Sequence, residues 1–241
     1  MKMTYDAKGG CRAARIFAGA MAGLFCLAAA GQNLLMNPSA ETGDLSGWVI
    51  LEAPGGGWSA GPPPPALMNS DPTDPHNPDG CAMFFTDGPA DPAGPGICRR
   101  SQTVDLLALG YTEGELDAAP DITVSEWFRG FSTRFIPNYN DTAYLKVELR
   151  GADGTTIVGV PYDSGEFTTG GTWQHITHTF SGYGPGVRYI YWEDGGKAAE
   201  PYGSTDGPVL DEAFLTINIP SSTAPEITVS APNDPPWSCS S

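Results

Sequence analysis

Helical periodicity is nearly absent from these 241 residues. No long stretch repeats apolar residues at helical spacing, which excludes a helical bundle. Positive charge is scarce as well, with 12 Lys and Arg against 28 Asp and Glu. A surface this acidic repels phosphate backbones, so no nucleic acid is expected as a partner. Histidine is rarer still. His76 sits in a Pro-rich stretch, and His175 and His178 lie three apart on an expected strand, on opposite faces. They are badly placed to share a metal. Familiar catalytic signatures are missing too: no Gly-x-Ser-x-Gly, no His-Glu-x-x-His and no phosphate-cradling glycine loop. Acids are so numerous that carboxylate pairs spaced for glycoside hydrolysis are uninformative. An enzyme is not expected.

Long apolar runs are also lacking, with one exception. Ile16 to Ala30 carries no charge and comes after Lys2, Lys8, Arg12 and Arg15. It falls short of the ~20 residues that span a bilayer. Ala28-Ala29-Ala30 supplies an Ala-x-Ala cleavage pattern. Residues 1–30 are therefore expected to be a secretory signal peptide, and the protein to be secreted, extracellular or periplasmic, without a membrane span. Residues 31–241 hold eight basic and 27 acidic residues, a formal charge of −19. They also contain Cys81, Cys98 and Cys239. Cys81 and Cys98 flank a strand-like piece and a Pro/Gly loop, and a disulfide between them is one expectation for an exported chain.

Alternation at period two is abundant. In "AYLKVELRG", Ala143, Leu145, Val147 and Leu149 share a face opposite Tyr144, Lys146, Glu148 and Arg150. "TWQHITHTF" puts Gln174, Ile176, His178 and Phe180 together. "SQTVDL", "DITVSEWFRGF" and "PVLDEAFLTINI" are further strands. Two alternating runs flank Gly184-Pro185-Gly186 and predict a hairpin there. One helical turn is expected at "YTEGELDAA", with Thr112 as N-cap and Glu115 closing a capping box. Gly61 to Gly80 is a Pro-rich surface loop, since Pro cannot donate within a central strand. Many short strands between turns predict an all-β antiparallel sandwich over residues 32–219. A Ser/Pro/Thr-rich tail is expected over 220–241.

Three stretches occur in order: "NLLMNPSAETGDLSGW", "SQTVDLLALGYTEGELDAAPDITVSEWFRG" and "HTFSGYGPGVRYIYWEDGG". Together they closely resemble the F-box-associated (FBA) domain, the substrate-recognition domain of glycoprotein-binding F-box proteins. The resemblance implies a galactose-binding-like jelly roll of about ten strands that binds glycan or glycoprotein without catalysis. The ubiquitin-ligase adaptor role of those proteins depends on a preceding F-box, and it is not expected behind a signal peptide. Sugar-binding members carry a Tyr-Trp-Lys cluster after a Gly-Gly pair. Here Gly195-Gly196 is followed by "KAAEPYGSTDGP", and Tyr202 alone keeps an aromatic face. A ligand site at that end would draw on Tyr202, Lys197, Glu200, Asp206 and Asp194, an aromatic face among groups that bond hydroxyls. Trp48, Trp58, Trp127, Trp173 and Trp192 read as core or rim packing.

The wider galactose-binding-like modules place an acid near the start and an acid in the last strand around a structural calcium. "NPSAETGD" and "LDEAF" match that pattern and implicate Glu41, the Gly43 carbonyl, Asp44 and Asp211. No other cofactor is expected. Two rival readings stay open: a cell-envelope structural or protein-interaction module without sugar binding, and a glycan-active enzyme.

Overall fold

The computed structural model describes residues 32–53, 57–61, 83–87, 97–130, 141–197 and 207–219. The expected signal peptide (1–30), most of the expected Pro-rich loop, Cys81, Tyr202 and the expected tail (220–241) lie outside the described residues. Eleven strands and one short helix are described, in chain order: β1 (Val49–Glu52), β2 (Gly57–Gly61), β3 (Met83–Asp87), β4 (Cys98–Asp105), α1 (Glu113–Asp117), β5 (Ile122–Arg129), β6 (Thr142–Arg150), β7 (Tyr162–Asp163), β8 (Phe167–Thr168), β9 (Gln174–Phe180), β10 (Tyr189–Lys197) and β11 (Val209–Ile217). They form two antiparallel sheets. One runs β1-β4-β10-β6-β7, with β8 also on β6, and the other runs β2-β3-β11-β5-β9. This is the expected jelly-roll sandwich.

The alternating residues meet between the sheets. Leu145, Val147, Leu149, Ile190 and Trp192 of the first sheet face Ile122, Val124, Phe128, Leu210 and Leu215 of the second, and all ten are fully buried. Each such side chain contributes roughly 1.5–3 kcal/mol when it leaves water. The capping box on α1 forms as the spacing predicts, with Glu115 N donating to Thr112 Oγ1 and Thr112 N to Glu115 Oε2.

The expected hairpin across Gly184-Pro185-Gly186 does not form. β9 pairs with β5 in one sheet, and β10 pairs with β4 and β6 in the other. The connection crosses the sandwich, so the alternating faces of the two strands look at each other through the core. It is anchored below α1. Gly186 N and Arg188 Nη1 both donate to Asp117 Oδ1, at 3.0 and 2.9 Å. The Arg188 hydrogen bond, then that from Gly186, holds the Asp117 carboxyl below its usual range. Tyr183 donates to the Pro120 carbonyl at 2.6 Å.

The segment ahead of β1 lies along β11. Leu34 N donates to Leu215 O and Ala213 N to Pro38 O. Asn33 locks it by donating to Ala213 O and accepting from Leu35 N and Leu215 N. Met36 N reaches the other sheet at Gln102 Oε1, 2.7 Å away.

Candidate functional site

The outer face of the six-stranded sheet carries an unusually connected polar row. Period two sends Tyr191 and Glu193 of β10 outward, together with Tyr144, Lys146, Glu148 and Arg150 of β6. Tyr144 and Tyr191 both donate their hydroxyls to Glu193, at 2.8 and 2.7 Å. Arg150 lies 3.8 Å above the Tyr191 ring and donates twice to Glu148, whose other oxygen pairs with Lys146 at 2.8 Å. Burial, followed by the Glu193 carboxylate, pushes both tyrosines up, Tyr144 strongly and Tyr191 to about 12. Both therefore stay protonated donors at neutral pH. Burial opposes the charge on Glu148, but hydrogen bonds from Lys146 and Arg150 outweigh it and hold that carboxyl low.

A groove of about 310 Å3 opens beside this row, lined by Ile97, Arg99, Tyr144, Asp163, Glu166 and Glu193 among others. Its far wall reaches the end of β10, where Lys197 pairs with Glu166 at 3.0 Å. Aromatic edges, hydroxyl oxygens held in place by Glu193 and carboxylate acceptors thus converge on one open surface. That combination suits a ligand rich in hydroxyls.

The residues singled out in the sequence are not brought together as a set. Lys197 stands at the groove's edge. Glu200, Tyr202 and Asp206 belong to the loop outside the described residues. Asp194 is turned the other way. It is fully buried, receives Arg100 Nε at 2.7 Å and Trp192 Nε1 at 2.8 Å, and presents nothing to solvent. Its neighbour Glu193 occupies the outward position. Alternation from Ile190 and Trp192 carried that signal.

Arg100 and Asp194 belong to a buried triad with Glu126 of the opposite sheet. Arg100 Nη2 donates to Glu126 Oε1 at 3.1 Å, and the Trp48 ring covers the guanidinium at 3.7 Å. Burial, then the Asp194 charge, pushes Glu126 well above the usual carboxylate range. Burial also raises Asp194, but Arg100 and Trp192 both favour its charged form. Of the two acids, Glu126 is thus the one pushed further toward its neutral form.

The expected calcium ligands lie apart in character. Glu41 is exposed, Gly43 is left-handed with φ 74°, and Asp211 is buried with Oδ1 accepting from Glu212 N. Asp44 Oδ1 accepts from Thr42 Oγ1 and Ser46 N. Among the described residues, no three His, Cys, Asp or Glu side chains gather as a metal site. Cys98 is buried with its thiol directed at Gly57 O, and Cys81 lies outside the described residues. Among the described residues, no helix is long and apolar enough to cross a membrane.

Comparison with known proteins places this architecture. The model of the F-box associated region matches residues 25–209. F-box only protein 6 of Rattus norvegicus is 32% identical over 197 residues, covering 80% of this chain and 63% of the relative. F-box only protein 2 of Bos taurus is 31% identical over 176 residues, covering 69% of this chain and 52% of the relative. The chain thus spans somewhat over half the length of these relatives. Among solved structures, the enzymatically active domain of tailspike protein 4 from bacteriophage CBA120 matches with a TM-score of 0.50 at 12% identity, over 77% of this chain and 21% of that one. At that identity the likeness is one of fold.

Proposed function

The chain belongs to the F-box associated region family, and from that premise we propose that its sandwich is a non-catalytic module that binds the glycan of a glycoprotein. Family membership carries the reading. The groove over Tyr144 and Glu193, with Lys197 paired to its wall residue Glu166, supports it chemically, and Glu200, Tyr202 and Asp206, which follow Lys197 in the sequence, are proposed to add to it. Glu193 is pre-oriented by two tyrosines, so a sugar hydroxyl would meet an acceptor whose position costs no further ordering. The basic, apolar and Ala-x-Ala pattern of residues 1–30 supports export, which would bring the module to extracellular or periplasmic glycans.

A glycan array probed with the full chain, with and without calcium, tests the reading. Selective binding is expected. Glu193→Gln and Tyr202→Ala should each weaken a confirmed ligand ~10-fold or more, equivalent to about 1.4 kcal/mol. Absence of binding to every glycan would leave the protein-interaction reading in its place. Calcium is tested separately. An ion held only by the folded state raises stability, so a chelator would lower the melting temperature, and unchanged melting would remove the ion.

A further inference from the structure

On the outer face of the five-stranded sheet a second pocket, of about 410 Å3, is built from different materials. Its floor is β5 and β11. Trp127 of β5 lies in register with His175 of β9, and the two rings stack with centroids 4.3 Å apart and planes 11° from parallel. Strand order puts His175 on the far side of Trp127 from β11, where it backs the indole. The nearly buried Ser125 stands two residues from Trp127 on the same face.

The opposite wall comes from an irregularity. β11 loses its regular pairing with β5 between Asp211 and Phe214, and Glu212 within that bulge has φ 49°. Left-handed backbone at a non-glycine residue is strained and persists where the surroundings enforce it. The bulge turns Glu212 onto the outer face, where it lines the pocket. Ser39 and Asn33 close the pocket from the segment that lies along β11. Asn33 is committed to holding that segment through three hydrogen bonds, so this wall is rigid.

We infer that this pocket is a second carbohydrate site, taking a single neutral sugar residue with its C–H face on the Trp127–His175 stack and its hydroxyls on Glu212, Ser39 and Ser125. The pocket's volume lies within the ~300–1,000 Å3 range of small-molecule sites. An aromatic plate beside a carboxylate and two hydroxyls matches the two-sided chemistry of a sugar ring. The site shares no residue with the groove on the other sheet. A branched glycan, or two glycans, can therefore engage both faces, and avidity would follow from the linkage. The sugar class rests on the proposed glycan-binding function, while the location stands on its own.

NMR of the full chain separates the two. N-acetylglucosamine, galactose, mannose and xylose are titrated singly to ~50 mM, well above the ~1 mM dissociation constants typical of weak sites. At least one is expected to shift the Trp127 indole N–H and the His175 ring signals together. Trp127→Phe identifies the indole signal. Glu212→Gly should weaken that response ~10-fold while keeping or raising the melting temperature, because glycine suits the left-handed backbone. Perturbation confined to Tyr144 and Tyr191 would overturn this site and leave the proposed function intact. A response confined to Trp127 would sustain this site and move the function away from the groove. No shift with any sugar, or a Trp127 shift unchanged in Glu212→Gly, would overturn the inference.

Discussion

Arg100 is among the largest fully buried side chains, and its charge is satisfied by Asp194 and Glu126. Removing one member of such a set strands another charge in the core. Arg100→Met should cost ~3–5 kcal/mol by denaturant titration. Replacing Arg100, Glu126 and Asp194 together by apolar residues of similar size should cost less than Arg100→Met alone. Glu126 behaves differently, because burial favours its protonated form. Its folded value lies above its ordinary value of 4.5, so its stabilising effect is complete below that value. It is lost as pH rises toward the folded value. Glu126→Gln resembles the protonated acid and should change stability by no more than about 1 kcal/mol at pH 7. As pH rises above the ordinary value of 4.5 the wild type should lose stability relative to this variant. Parallel stability curves would mean that Glu126 is ionised in the fold. None of this triad was legible as such. Charged residues on a strand read as surface, and only the alternation of β4, β5 and β10 in three dimensions turns these three inward. The same period-two rule explains why Asp194, expected at a ligand, is core, while Glu193 faces out.

Elements were legible where alternation was strong. β6 buries Ala143, Leu145, Val147 and Leu149, β9 turns Gln174, Ile176, His178 and Phe180 to its more covered face with Phe180 alone buried, and the Thr112 capping box sits where its spacing put it. Pairing was less legible, because alternation reveals a strand's inner face but not its neighbour. The runs around Gly184-Pro185-Gly186 therefore look like a hairpin and are instead opposite layers. The Gly-Gly pair near the end of β10 also has a packing reason. A Cβ on Gly195 would run into the Cys98 carbonyl of β4, and one on Gly196 into the Pro208 ring just before β11. β10 is held between β4 and β6 and cannot shift to make room. Gly195→Ala and Gly196→Ala should each cost at least ~1–3 kcal/mol, read as a lowered denaturation midpoint at unchanged slope. Neutral substitution would mean that the strand ends are looser than their packing. The bulge in β11 had no sequence signal, since Glu212 is not a residue that usually marks left-handed backbone. Trp127 reads as packing in the sequence because its partner His175 is remote along the chain, and only strand pairing unites them.

For the whole molecule, sandwich and family were legible, and ligand was not. The fold rests on many alternating residues at once, whereas recognition rests on a few side chains whose neighbours come from distant strands. The charge balance makes one further prediction. Twelve basic against 28 acidic residues give a strongly negative field, but a neutral sugar does not feel it. Affinity for a neutral glycan should change less than ~2-fold between about 0.05 and 0.5 M salt by calorimetry. A steep fall with salt would point to a cationic partner instead.

The segment from Asn33 to Pro38 runs antiparallel to β11, with Leu34 against Leu215 and Pro38 against Ala213. Entry and exit of the folded body therefore lie side by side. Such a body can be spliced into a surface loop of a host, or have its ends joined and reopened elsewhere, with little strain. Tension applied across those two points would open the pair like a zipper, one hydrogen bond at a time, rather than shearing all of them together.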